Sequence, residues 1–189
     1  MIIFASQSTT KDHRNAVNCL TRLRVWLCRI HHCRGFGVQS PTDYRFVRYV
    51  INEHWPYYAY EQLGEGCGWL RRKTGELMLR ISNWRQPSVV IDQAGYADYM
   101  KAGCRSAIVL GYAEAVIELA CVPVDCRWEE LFSWCNAGSV VVVTEIWRSP
   151  SVWKQMLQHP AVRVSFDLYY CGILLFDPSR AKHHYIVNF

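Results

Sequence analysis

The chain lacks a long hydrophobic run. Its apolar stretch Val140-Val141-Val142-Val143 is far too short to cross a bilayer, which takes about 20 residues. The opening residues Met1-Ile2-Ile3-Phe4-Ala5 carry no charged segment or extended apolar core, so no secretory leader is expected. Cys-x-x-Cys pairs are missing. The nine cysteines stand at 19, 28, 33, 67, 104, 121, 126, 135 and 171. Their odd number and irregular spacing exclude a disulfide framework. Most have apolar neighbours, where a reduced, buried thiol is the usual state, and a cytoplasmic location is expected. No Ser-His-Asp order, Gly-x-Ser-x-Gly elbow or Walker loop occurs, which excludes the commonest hydrolase and P-loop signatures. Acidic residues are scarce at one end. Residues 1–50 hold two acids against eight Lys/Arg, a balance of +6, whereas the remainder sums to −1.

Glycine is scarce where an α/β fold most uses it. Val89-Val90-Ile91-Asp92 reads as a short buried strand, and a helix is expected over about 96–102. Such a junction binds a nucleotide-like ligand when glycines let the backbone approach closely. Here it reads Asp92-Gln93-Ala94-Gly95-Tyr96, with one glycine and then a bulky aromatic.

What is present is an ordinary globular composition, 51 % apolar and 20 % charged, of a length that suits one domain with a real core. Residues 1–12 carry little pattern and read as frayed. From about 15 to 33 a helical stripe of Val17, Leu20, Leu23, Leu27 and Ile30 runs beside Trp26, with Arg22, Arg24 and Arg29 off the stripe. So large an apolar face is expected to pack on the domain or on a second copy of the chain, leaving the arginines as a positive patch. Gly35-Phe36-Gly37 stops this helix. Ser40-Pro41-Thr42-Asp43 starts another, with a capping serine, a first-turn proline and an acid for the dipole. An aromatic connector, Pro56-Tyr57-Tyr58-Ala59-Tyr60, leads to a basic helix over about 69–83.

Strands and helices alternate from Ser88: strand 88–92, helix 96–102, strand 106–110, a candidate strand 115–119, helix 127–135, strand 139–144 and helix 149–158. The tail reads as strands only, over 162–170, 172–176 and 185–189. The expected fold is α/β, three layers around a mixed sheet, mostly parallel with an antiparallel edge. Residues 1–87 read as a helical extension that is not an independent domain, and 88–189 as the α/β core.

Three stretches resemble the class I S-adenosylmethionine-dependent methyltransferases, specifically a bacterial O-methyltransferase-like group. Gly35-Phe36-Gly37-Val38-Gln39-Ser40-Pro41 is similar to that group's glycine–(His)–Ser-Pro signature, with Gln39 in the usual histidine position. Pro56 to Glu61 resembles its aromatic connector. The tail from Val162 to Leu168, through Gly172-Ile173 and Phe176 to His184–Phe189, resembles its terminal antiparallel strands. The resemblance spans about 25–189 and implies a Rossmann-like methyltransferase-type sheet, S-adenosylmethionine as cofactor and methyl transfer to an oxygen or nitrogen nucleophile. It implies Asp92 and Gly95 as cofactor contacts, and Glu114 as the candidate for the acid that holds the ribose.

The chain departs from the group's pattern twice. Only Asp92 and Gly95 match the cofactor loop. Strand 106–110 also runs almost directly into 115–119, with no room for the usual crossover of a dozen or more residues if the two are parallel neighbours, so one βα unit reads as trimmed. Two functions therefore stand side by side. One is a methyltransferase with an unknown small-molecule substrate and no identifiable base. The other is a non-catalytic interaction module working through the basic extension.

The remaining motifs read as structural. Asp92 suits a turn cap as well as a ligand contact. Cys28-Arg29-Ile30-His31-His32-Cys33 fits no common zinc spacing, so no metal is expected. His183-His184 reads as paired imidazoles on an edge strand. Arg71-Arg72-Lys73 with Trp26, Trp55 and Trp69 could form a stacking, phosphate-attracting surface. The plainer reading is a solvated helix with its tryptophans in the core. Neither nucleic acid nor a membrane is expected as partner, and a homodimer through the N-terminal helices is.

Overall fold

The computed structural model describes residues 17–189. The unpatterned stretch 1–12 lies outside the described residues. Seven strands form one sheet in the order β2-β1-β3-β4-β6-β5-β7. They are β1 Val89–Asp92, β2 Ile108–Leu110, β3 Ile117–Pro123, β4 Cys135–Thr144, β5 Val164–Asp167, β6 Cys171–Leu175 and β7 His183–Ile186. β2, β1, β3 and β4 run parallel, and β6 enters between β4 and β5, antiparallel to both. The domain is thus α/β with a Rossmann-like mixed sheet. The tail is not antiparallel throughout, as its helix-free sequence suggested. The β5–β6 hairpin is, but β7 adds to β5 in parallel, because residues 176–182 pass round the end of β5 at Val164, which faces Leu175 on one side and His183 on the other.

The period-2 alternation of the strands builds two cores. Val140 and Val142 of β4 join one cluster, and Val141 and Val143 join the other. The first cluster is covered by α2 (Pro41–Phe46), α4 (Trp69–Arg85) and α5 (Ala97–Gly103); the second by α6 (Trp128–Ser133) and α7 (Pro150–Gln158). These are the three expected layers. Val164, Phe166 and Leu168 share the first core, as their spacing predicts.

α2 begins where the sequence says it should, with Ser40 Oγ accepting the Asp43 N–H and Pro41 in the first turn. It widens into a π turn at Val47–Ile51. That turn aims the Val50 and Ile51 carbonyls at Arg80, which donates to both at 2.7 and 3.1 Å and to Tyr60 Oη at 3.1 Å. A buried guanidinium is tolerated only when its donors are satisfied in this way.

The link from β2 to β3 corrects the crossover argument. β2 and β3 are not neighbours; they flank β1 from opposite sides, both parallel to it. Six residues, 111–116, recross the sheet without a helix. A helix-free return suffices because β2 is only three residues long, so little strand length has to be retraced. Ala113 of this strap packs on the second core.

α1 (Cys19–Cys28) and the short 3-10 segment Ile30–Gly35 occupy most of the predicted N-terminal helix. The apolar stripe does not pack on the domain, the first of the two placements expected for it. α1 buries none of its residues, and Leu20, Leu23, Trp26, Leu27 and Ile30 are 42–73 % exposed. The helix docks on the domain by its arginines instead. No helix of the described residues is long and apolar enough to cross a membrane.

Candidate functional site

Open α/β sheets bind ligands at the carboxyl ends of their strands, where successive strands leave a central strand in opposite directions. Here that point is the end of β1, beside β3, and the loop over it is 92–96. Asp92 Oδ1 accepts the N–H groups of Ala94 at 3.0 Å and Gly95 at 2.9 Å. This is an Asx turn, the capping role weighed for Asp92. Gly95 has φ +80°, a conformation that disfavours any residue with a Cβ. Its carbonyl accepts from Arg71 Nη2 at 2.7 Å, and the Arg71 guanidinium carbon lies 5.2 Å from the centre of the Tyr96 ring. Gln93 donates its N–H to Cys121 O at 2.9 Å and its Nε2 to Gly111 O at 3.0 Å, tying the loop to β3 and to the strap. The N–H groups of Gln93, Ala94 and Gly95 are thereby occupied.

Tyr96 is 8 % exposed and belongs to the first core beside Tyr99. Desolvation drives its phenol pKa well above the ordinary value, with Cys121 adding to the rise. Glu114 sits exposed on the strap, whose Gly111 carbonyl accepts from Gln93 of the loop, with Tyr112 as its hydrogen-bonding neighbour.

Cations and aromatics line the same end of the sheet. The Arg22 guanidinium sits 3.8 Å above the Trp69 ring. Lys73 Nζ lies 5.7 Å from Trp69 and 4.7 Å from Phe189, and burial lowers its pKa. Trp69 meets Tyr170 edge-on at 5.5 Å, and Tyr170 meets Tyr169 at 4.9 Å. Arg29 completes the array. Its Nη2 pairs with Asp167 Oδ1 at 2.7 Å, its Nη1 donates to Asp167 O at 2.9 Å, and its guanidinium lies 5.3 Å from the Tyr169 ring. Trp55 and Trp26 are exposed, so the reading that placed the tryptophans in the core holds for neither. Most of the arginines expected to form a free positive patch serve as ties: Arg22 to Trp69, Arg29 to Asp167 and Arg71 to Gly95.

The cysteine–histidine motif is also structural. Asn188 donates its N–H to His32 O at 3.0 Å, and its Nδ2 to Trp26 O and Cys33 Sγ, both at 3.2 Å. All nine cysteines are free, and among the described residues no group of three His, Cys, Asp or Glu stands together as a metal site would need. His183 and His184 lie exposed on the edge strand β7, as read, with His184 Nδ1 2.8 Å from Ser165 Oγ.

Two cavities open elsewhere. One, of about 340 Å³, lies between α7 and β7 and is lined by Lys154, Arg163, Ser165, Lys182, His183 and His184. The other, of about 430 Å³, lies between α2 and α4, with Arg80, Tyr57, Glu53 and the ion pair of Arg180 with Asp43 on its walls. Neither adjoins loop 92–96. Comparison with known proteins returned no matching protein family, no matching curated protein and no matching solved structure.

Sequence reasoning missed Arg71 as the clamp on the loop and Arg29–Asp167 as the anchor of α1. A signal existed for the first: Arg71 falls on the first turn of the helix that must cover the sheet. None existed for the second, because the partners lie 138 positions apart.

Proposed function

We propose that this chain is a methyltransferase-like protein whose cofactor cleft has closed and which acts as a non-catalytic interaction module. The observation that carries the reading is the state of loop 92–96. Asp92, expected to hold the cofactor, caps its own turn; Arg71 clamps Gly95; Tyr96 is buried in the first core. A ligand as polar as S-adenosylmethionine needs several convergent polar groups to fix it. The loop's own bonds occupy the N–H groups of Ala94 and Gly95 and the side chain of Asp92.

The methyltransferase descent draws support from two features. The terminal hairpin inserts β6 against β4 in antiparallel fashion, in keeping with the terminal strands that the resemblance implies. The helix-free strap 111–116 stands where a βα unit would be, as a trimmed relative would have it. A fold can outlive its chemistry because core packing and site residues are separate constraints.

Isothermal titration of the full chain with S-adenosylmethionine tests the reading. Weak or absent binding is expected. A dissociation constant in the low micromolar range, about −8 kcal/mol, would show that the loop opens and would restore the enzymatic alternative.

A further inference from the structure

α1 is mounted inside out. An amphipathic helix at a domain surface normally buries its apolar stripe and turns its charges to water. This one fixes its cations to the domain, Arg22 on Trp69 and Arg29 on Asp167 and Tyr169. Asn188 holds the helix end through Trp26 O. The stripe of Leu20, Leu23, Leu27 and Ile30, with Trp26 beside it, is thereby presented to solvent by a fixed scaffold. From Leu20 to Ile30 it runs about 15 Å at the helical rise. Phe36, eight residues after α1 ends, is exposed as well, at 77 %. An apolar surface of this kind on a rigid support marks an interaction site.

The charge around the stripe selects its occupant. Residues 17–42 contain no Asp or Glu. Arg24, His31 and Arg34 are exposed and are not among the ties that hold the helix. A second copy of the same face would bring Arg24 and Arg34 against their own kind, with no carboxylate in the segment to meet them. An anionic bilayer surface offers what the face lacks: an apolar boundary for the leucines, an interfacial level suited to Trp26, and phosphates for the arginines.

We propose that α1 and Phe36 form a docking face for an anionic membrane surface. The chain would lie on that surface without spanning it. The proposal deepens the interaction-module reading, on which it rests, by naming the partner's chemistry.

The test is co-flotation of the full chain with phosphatidylcholine vesicles, with and without phosphatidylserine. Binding is expected to the serine-containing vesicles only and to weaken as salt rises. The double variant Leu23→Ser, Leu27→Ser should lose more than tenfold in partitioning while its far-UV spectrum stays unchanged, since both side chains are already in water. Arg24→Ala and Arg34→Ala should each weaken binding about fivefold, the equivalent of about 1 kcal/mol per surface cation. Failure to bind phosphatidylserine vesicles, or binding that ignores the leucine substitutions, would overturn the proposal. So would a dimer in sedimentation velocity that Leu23→Ser, Leu27→Ser dissociates, because the second copy would then be the occupant. S-adenosylmethionine titration is read separately: tight cofactor binding would defeat the non-catalytic reading, whereas a failed flotation with no cofactor binding would defeat the membrane proposal and leave the non-catalytic reading standing.

Discussion

Removing Asp167 should cost far more stability than removing the arginine it pairs with. The carboxylate is a hub for three elements. Oδ1 takes Arg29 Nη2 from α1 at 2.7 Å and the Tyr169 N–H at 2.8 Å; Oδ2 takes Trp153 Nε1 from α7 at 3.2 Å. The Tyr169 bond also holds that residue at φ +71°, an unfavourable conformation for a non-glycine residue. The side chains of Arg29 and Asp167 are only 16 % and 17 % exposed, so water replaces lost partners poorly. Arg29→Ala leaves Asp167 with two of its three donors and should cost about 1–2 kcal/mol. Asp167→Ala leaves the Arg29 guanidinium with carbonyl acceptors but no counter-charge, orphans an indole N–H and frees a strained turn at once, and should cost about 3–5 kcal/mol. The double variant should cost little more than Asp167→Ala alone, because both changes remove the same bond. Urea unfolding followed by far-UV circular dichroism measures all three. Equal costs for the two single variants, or strict additivity in the double, would refute the hub argument.

Much of the fold was legible because local pattern and tertiary structure agree. Ser40-Pro41 starts α2, the run Val140–Val143 alternates between two cores, and Val164, Phe166 and Leu168 share a face. These features depend on neighbours a few residues apart. Illegible parts depended on distant partners. Nothing local in residues 183–186 says that β7 pairs with β5 in parallel, and nothing near β2 says that β3 will pass to the far side of β1.

The site was legible in its departures more than in its positive features. The single glycine and the aromatic at 95–96 set this loop apart from a glycine-rich one, and in the structure Asp92 accepts its N–H groups at 94 and 95. Which residues close it was not readable, since Arg71 reaches Gly95 from 24 positions away. α1 misled for a definite reason. Hydrophobic periodicity tells which residues share a face but not which way the face points. Direction was set by Arg22 and Arg29, whose partners Trp69 and Asp167 lie far along the chain.

Phe166 is fully buried, with its ring 5.2 Å from that of Phe46 and 5.5 Å from that of Tyr185. Phe166→Ala should cost about 3–5 kcal/mol in urea unfolding, and a loss below about 1 kcal/mol would mean that the site collapses freely. Gly172 lies under the Trp153 indole, which a Cβ would strike. Gly172→Ala should cost about 1–3 kcal/mol by overpacking, and an unchanged denaturation midpoint would show that the indole moves aside at no cost. Among the thiols, exposed Cys19 and Cys28 should react with dithionitrobenzoate in the folded chain, whereas buried Cys104, Cys121 and Cys171 should react only on unfolding. Burial also couples the thiols to stability at alkaline pH. An ordinary thiol ionises at 9.0, but desolvation holds the proton on Cys171 and Cys135 to about 12 and on Cys126 to about 11. Above pH 9 the unfolded chain therefore gives up protons that the folded chain keeps, so rising pH favours unfolding. The stability these thiols contribute is complete below pH 9 and is lost as pH climbs through the folded values. Thermal unfolding across that range should show a melting temperature that falls with pH, and Cys171→Ala should lower the baseline while flattening the fall. An alkaline slope identical in Cys171→Ala and the parent chain would assign the effect to other groups.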